Sequence, residues 1–230
     1  MTTPAQLPGT AADYFGGMVE SYDSLIRRAI PRYDEMTQRL LDYLPAQPRR
    51  ILELGCGTGN LTLKLAFRYP AAAITTVDAA PQMTQITTVR AQRQGSHVEA
   101  ITATFEAVSF APQCFDLVTS CMSLHHVADK APLYNRIASW LAPGGALVFA
   151  DQVASATPEA GEVDWGKWLE FCRAPGNCTE VEIDSLVGHS EAHDHYTKLE
   201  EHFRLMSHVG FHSLDCVWRN WMYGVVTARR

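Results

Sequence analysis

Hydrophobic and polar positions along this chain follow two rhythms, and the points where one gives way to the other mark its elements. Short, almost continuous apolar runs read as strands buried on both faces. They lie at Ile51-Leu52-Glu53-Leu54, Ala72-Ala73-Ile74-Thr75-Thr76-Val77-Asp78, and residues 98–102, 114–120 and 146–150. Helical spacing fills the gaps, over residues 61–68 and again from Asp129 to the turn Leu141-Ala142-Pro143-Gly144-Gly145. Strands alternating with helices predict an α/β fold around a mostly parallel sheet.

The flanks have a different texture. Tyr14/Phe15, Met18, Tyr22, Leu25/Ile26 and Ala29 recur at three- and four-residue steps, which predicts one amphipathic helix interrupted at Pro31. A second helix carries Tyr33, Met36, Leu40 and Leu44 on one face, and Pro45 and Pro48 lead into the first strand. Beyond the fifth strand, an insertion from Gln152 to about Tyr196 places Trp165, Trp168 and Phe171 on a helix, with a short helix starting at Thr179. Thr197-Lys198-Leu199-Glu200 matches a capping box and opens a helix with Leu199, Phe203 and Met206 inward, ended by Gly210. Residues 214–218 and 221–227 close the chain as a strand pair. One domain over 1–230 is expected: a helical lid (1–48), a core (49–151), a helical insertion (152–196) and a C-terminal helix with its strand pair (197–230).

Composition narrows the function classes. With 47% hydrophobic and 19% charged residues, the 230-residue chain can bury a sizeable core and is not a disordered one. A net charge of −6 argues against a nonspecific binder of phosphate backbones. No apolar run approaches the roughly 18 residues of a membrane span, and Met1-Thr2-Thr3-Pro4-Ala5-Gln6 lacks the basic and apolar regions of a signal peptide. Six cysteines without close C-x-x-C pairs suggest reduced thiols. A cytoplasmic protein with no membrane and no nucleic-acid partner is the expectation.

The chemistry gathers where the first strand meets its helix. Gly55, Gly57 and Gly59 alternate, and Glu53 stands two residues before them. The dinucleotide fingerprint needs G-x-G-x-x-G, so this spacing disfavours a nicotinamide oxidoreductase. It resembles motif I of the class I S-adenosylmethionine-dependent methyltransferases. Asp78 at the end of the second strand, Ser123-Leu124-His125-His126 after the fourth, and Leu141-Ala142-Pro143-Gly144-Gly145 before the fifth resemble further motifs of that family, together covering roughly residues 49 to 151. The resemblance implies a Rossmann-like fold, with a seven-stranded, mostly parallel sheet, an antiparallel C-terminal strand and an N-terminal helical lid. It also implies S-adenosyl-L-methionine as cofactor and Tyr33, Glu53, Gly55, Cys56, Gly57, Gly59, Asp78, Ala79, Met83, Thr104, Phe105 and Cys121 as its binding residues. Asp78 would accept from both ribose hydroxyls. Thr104 and Phe105 stand where many relatives have an aspartate for the adenine amino group.

Both ends of the chain, Tyr22 to Tyr33 and Leu199 to Tyr223, are similar to the carboxy-S-adenosylmethionine synthases and their methyltransferase relatives. In that family the tyrosine after the proline, here Tyr33, reaches the cofactor's methionine carboxylate. The synthases also hold their extra carboxylate with an arginine six residues before the helix-ending glycine. Counting back from Gly210 gives Arg204, but aligning the Gly-Phe turn gives Leu205. One residue turns a helical side chain by about 100°, which favours methyl transfer to a small-molecule acceptor over the synthase reaction for tRNA modification. A noncatalytic cofactor-binding partner is the other alternative, and a homodimer is the family-level expectation. His125 and His126 are the candidate general bases. The cluster His189-Ser190-Glu191-Ala192-His193-Asp194-His195 has ligand-type residues but reads as a polar connector, so no metal is expected.

Overall fold

The computed structural model describes residues 9–19 and 21–230; the Met1–Gln6 stretch read for a leader lies outside them. Helices α1 (Ala11–Gly16), α2 (Tyr22–Ala29) and α3 (Tyr33–Asp42) precede β1 (Arg50–Leu54). Next come α4 (Asn60–Arg68), β2 (Ala73–Asp78), α5 (Pro81–Arg93), β3 (Glu99–Thr102) and β4 (Phe115–Cys121). A 3-10 turn (Leu124–His126) leads to α6 (Lys130–Trp140) and β5 (Leu141–Gln152). The chain ends with α7 (Pro158–Cys172), α8 (Glu180–His193), α9 (Leu199–His208), β6 (His212–Asn220) and β7 (Tyr223–Arg229).

Every residue of β1 after Arg50 is buried, because the sheet is covered on both faces. Ile51 belongs to a core with Met36, Leu40 and Leu65, while Leu52 and Leu54 belong to one with Tyr134, Ile137 and Met206. The alternation repeats in β5, where Val148 joins the first core and Phe149 the second. The seven strands lie in the order β3-β2-β1-β4-β5-β7-β6. Strands β1 to β5 run parallel, and β7 alone runs against its neighbours β5 and β6. The chain leaves β1 toward β3 and returns to β4 on the other side of β1. That reversal opens a crevice at the C-terminal ends of β1 and β4, the place where such sheets bind ligands.

Three expectations are corrected. The amphipathic stripe from Tyr14 to Ala29 forms two helices, because α1 stops at Gly16 and Gly17 caps it. Glycine costs about 1 kcal/mol per helical position relative to alanine, and two in succession suffice to end the helix. The capping box forms at Thr179 and Glu182, not at Thr197 and Glu200. Thr197 instead lends its carbonyl to the Ala154 N–H at 3.0 Å, beside the Ala154–Lys198 bridge, so α9 starts from Lys198 with no side-chain cap. Finally, α8 is not short and residues 189–193 are not a connector: the helix runs to His193 and buries Ile183 and His189. Among the described residues no helix is long and apolar enough to cross a membrane.

Candidate functional site

The crevice holds a cavity of about 340 Å³, and eleven of the twelve residues singled out as cofactor-binding line it. Glu53, Gly55, Cys56 and Gly57 come from the end of β1, Asp78, Ala79 and Met83 from β2 and α5, and Thr104 and Phe105 from beyond β3. Cys121 ends β4, and Tyr33 opens α3 above the cavity. Gly59 is not among the lining residues. It is the N-cap of α4 at φ 89°, turned so that a Cβ would meet Thr87 Oγ1 at 3.1 Å. Gly55 has the stricter requirement. Its φ is 80°, and a Cβ would lie 1.9 Å from Ser123 Oγ, so no larger residue fits unless the loop after β4 moves.

Two carboxylates define the floor. Glu53 is 1% exposed, and its Oε2 accepts a 2.5 Å hydrogen bond from Thr62 Oγ1. Its Oε1 is buried and has no hydrogen-bond partner among the described residues. Burial pushes the Glu53 carboxyl up to about 8, against the Thr62 bond that lowers it. Asp78 accepts from the Gly57 N–H at 2.8 Å through Oδ2 and from the Ala80 N–H at 3.0 Å through Oδ1. It thereby fixes the glycine turn against the start of α5. Burial raises its carboxyl above the usual range, and these two N–H groups oppose that rise. The Thr104 hydroxyl accepts from the Ala107 N–H at 3.3 Å. The Phe105 ring reaches within 3.5 Å of where a Gly55 Cβ would stand. Burial raises the Tyr33 phenol and pushes the Cys121 thiol up to about 12, so both stay protonated near neutral pH.

The lid is fastened to this floor by polar contacts that residue patterning did not reveal. Asp23 of α2 accepts from Thr58 Oγ1 at 2.5 Å and Asn60 Nδ2 at 2.9 Å, and it pairs with Arg90 of α5 at 2.7 Å. Arg28 forms a forked pair with Glu182 of α8, at 2.6 and 3.0 Å, and the Tyr14 hydroxyl meets Ser185 Oγ at 2.9 Å. The Asp23 carboxyl, partly raised by burial, is held below its ordinary range by Thr58 and Arg90. The only hint of Asp23 in the sequence was its place beside Tyr22 in the entry segment.

A second cavity of about 80 Å³ adjoins the first and shares Phe15, Tyr22 and Met122 with it. Trp165 and Trp168 form part of its wall, with ring centroids 4.8 Å apart. Trp168 also donates from Nε1 to the Ala29 carbonyl at 2.9 Å, tying α7 to the end of α2. The two candidate bases diverge: His126 lines the larger cavity and His125 the smaller. His125 Nδ1 is hydrogen-bonded to Asp151 Oδ1, and Asp151 Oδ2 accepts from the His125 backbone N–H at 3.0 Å. Asp151, an acid at the end of a buried strand like Asp78, was not singled out, although its position carried the same signal. Burial works to lower His125, but the charge and hydrogen bond of Asp151 prevail and raise it. His126 is lowered by burial and by the charge of His125. The end of α8 reaches the same place. Asp194 Oδ1 lies 3.1 Å from His126 Nδ1, 3.7 Å from His125 Nε2 and 3.6 Å from His189 Nε2. Burial alone would raise Asp194, yet the approach of His126 and His125 and the Tyr196 hydroxyl hold it at about 2.

Arg204 stands away from both cavities. It is paired with Glu201 at 2.6 Å on the outer side of α9, with its side chain 65% exposed, while Leu205 packs on the core.

Comparison with known proteins gives this geometry a context. Residues 51–145 match a methyltransferase domain family. The chain is 35% identical over 132 residues to demethylmenaquinone methyltransferase of Thermus thermophilus, a match covering 51% of this chain and 60% of that one. It is 39% identical over 127 residues to trans-aconitate 2-methyltransferase of Streptomyces coelicolor, covering 52% and 39% respectively. The chain thus spans less than two thirds of either relative. Among solved structures, phosphoethanolamine N-methyltransferase 2 of Haemonchus contortus superimposes with a TM-score of 0.65 at 18% identity, covering 87% of this chain and 43% of that one. That structure contains S-adenosylhomocysteine and phosphomonomethylethanolamine. The strand order and the glycine turn of β1 agree with the family match over residues 51–145: the chain has the Rossmann-like fold of class I methyltransferases, and this segment is similar to a methyltransferase domain.

Proposed function

We propose that this protein transfers the methyl group of S-adenosyl-L-methionine to a small-molecule acceptor held in the second cavity. The observation that carries the reading is the unpartnered, buried Glu53 Oε1 in a cavity that also presents Asp78. A buried acceptor without a donor costs about 1–3 kcal/mol. An ammonium group such as that of the cofactor's amino acid would satisfy it.

Each residue has a binding task that follows from its chemistry. Glu53 and the N–H groups of the glycine turn would hold the amino-acid portion, with the Tyr33 hydroxyl toward its carboxylate. Asp78 keeps one lone pair on each oxygen beyond those used by Gly57 and Ala80, and these would accept the two ribose hydroxyls. Phe105 would pack on the adenine and Thr104 would accept from its amino group, where aromatic contact adds about 0.5–1.5 kcal/mol beyond burial. The bound cofactor supplies an electrophilic methyl group on a sulfonium centre. Phe15, Tyr22 and Met122 line both cavities, and such apolar side chains would exclude water from the boundary between them. Trp165 and Trp168 would align the acceptor for in-line displacement, in which positioning is the main contribution of the protein.

Relatives such as the trans-aconitate enzyme support the acceptor class, as does the largely apolar lining of the second cavity. Carboxy-S-adenosylmethionine synthesis is disfavoured by Arg204, which turns away from the cavity toward Glu201. The test is to incubate the purified chain with S-adenosyl-L-methionine and a panel of hydroxyl, thiol, amine and carboxylate acceptors, following S-adenosylhomocysteine by mass spectrometry. Acceptor-dependent turnover supports the reading. Turnover only with a tRNA substrate, or none unless a second protein is added, contradicts it.

A further inference from the structure

We propose that His125, His126 and Asp194 bind a divalent transition-metal ion, best matched by Zn2+, in the wall between the two cavities. There the ion would grip the acceptor through an oxygen or sulfur atom. The acceptor part of this inference rests on the methyl-transfer reading above; the metal part does not.

The donor set comes from three distant parts of the chain. His125 and His126 lie on the turn after β4, and Asp194 follows the end of α8. One ligand atom from each lies within 4.8 Å of the others. Zinc bonds to imidazole nitrogen and carboxylate oxygen are about 2.0–2.2 Å, which puts donors on a tetrahedron about 3.4 Å apart. The distances from Asp194 Oδ1 are 3.1 Å to His126 Nδ1 and 3.7 Å to His125 Nε2, and 3.6 Å to the neighbouring His189 Nε2.

Unsatisfied polar atoms point the same way. His126 Nδ1 and Asp194 Oδ1 are buried and face only each other, 3.1 Å apart, and both ring nitrogens of His189 are buried with no hydrogen-bond partner among the described residues. Such atoms are expensive in a protein interior unless something binds them. The atoms behind the donors are already arranged as in metal sites. Asp151 holds His125 Nδ1, leaving Nε2 for the ion, and the Tyr196 hydroxyl donates to Asp194 Oδ2 at 2.7 Å, leaving Oδ1. A carboxylate behind a ligating imidazole fixes its tautomer and orientation.

The location assigns the ion a task. His126 faces the larger cavity, while His125 and Asp194 face the smaller one. Three protein ligands leave a fourth position for the acceptor, as in catalytic zinc sites. Coordination lowers the pKa of a bound hydroxyl or thiol, so its proton passes to solvent. The heteroatom's lone pair then bonds to the methyl carbon, and the carbon–sulfur bond breaks with its electron pair remaining on sulfur. The acceptor class would be an alcohol, phenol or thiol.

The experiment uses the whole chain, stripped with EDTA and dialysed, then titrated with ZnCl2 by calorimetry with metal content checked by elemental analysis. One ion per chain is expected. Asp194→Asn should weaken binding by more than about 100-fold and Asp151→Asn by about 10–100-fold, the usual range for an outer carboxylate. His208→Ala, on the exposed end of α9, should leave it unchanged. Circular dichroism reports whether each variant folds. If Asp194→Asn does not, a Co2+ spectrum of the wild-type chain decides, with four-coordinate ligand-field bands and no thiolate charge-transfer band expected. Absence of stoichiometric binding, binding unaffected in folded Asp194→Asn, or a thiolate band would each overturn the site. Cofactor binding measured on the same samples separates the two readings. A chain that binds S-adenosyl-L-methionine but no metal sinks this inference alone, and the reverse result sinks the methyl-transfer reading alone.

Discussion

Replacing Asp78 with asparagine tests the cofactor site most sharply, because the change is nearly isosteric and its cost can be worked out. Both carboxylate oxygens accept backbone N–H groups, Oδ2 from Gly57 and Oδ1 from Ala80. An amide has one oxygen and one NH2 group, so one of these N–H groups must face another donor. The two ribose bonds proposed above would be affected as well. Hydrogen bonds to charged acceptors contribute about 1.5–3 kcal/mol, against about 0.5–1.5 kcal/mol for neutral pairs. Losing the charge at two bonds therefore costs on the order of 2–3 kcal/mol, or roughly 30–150-fold in affinity. Calorimetric titration with S-adenosylhomocysteine should show that loss in a variant that still melts cooperatively. A folded Asp78→Asn protein binding within about threefold of wild type would refute this assignment of Asp78.

Three further perturbations test the packing around the site and the core. Gly55→Ala forces a Cβ to 1.9 Å from Ser123 Oγ at a positive φ, so cofactor binding should fall below detection in calorimetry while the far-ultraviolet spectrum persists; wild-type affinity would contradict the packing. Asp23→Ala removes the bonds to Thr58, Asn60 and Arg90, and hydrogen exchange across α2 should accelerate with an affinity loss of about tenfold, whereas unchanged exchange would mean that the lid is held elsewhere. His202 is set down to about 4 by burial, despite Asp151 and Glu201, with Lys130 adding to the depression and the Tyr134 hydroxyl 2.6 Å from its Nδ1. The unfolded chain therefore takes up a proton near pH 6.5 that the native state refuses until about pH 4, so stability falls as pH drops through that window, by on the order of 3 kcal/mol. Urea unfolding of His202→Gln should be flatter between those pH values than wild type, and an equal slope would contradict the assignment.

The core strands were legible because burial on both faces writes a nearly unbroken apolar run, as in Leu147, Val148 and Phe149. The glycine turn was legible because backbone shape demands particular residues there. The lid was only half legible. An apolar stripe says which face is buried, but it does not say that Gly16 and Gly17 break the helix bearing it. The histidine cluster stayed hidden for a different reason. His125 and Asp194 are 69 positions apart, and what unites them is the length of α8, which depends on its capping box and buried face. Local patterning sees Thr179 and Glu182 but not where the far end of their helix lands. Asp23 belongs to the same class, since its partners Thr58 and Arg90 meet it only through the sheet topology.

The reading of the site turns on whether the larger cavity binds S-adenosyl-L-methionine for methyl transfer. Native mass spectrometry of the freshly purified chain, with and without added S-adenosyl-L-methionine, tests it most directly. One S-adenosyl-L-methionine or S-adenosylhomocysteine per chain is expected. A bound ligand heavier by a carboxylate, or no uptake of added S-adenosyl-L-methionine by the folded protein, would contradict it.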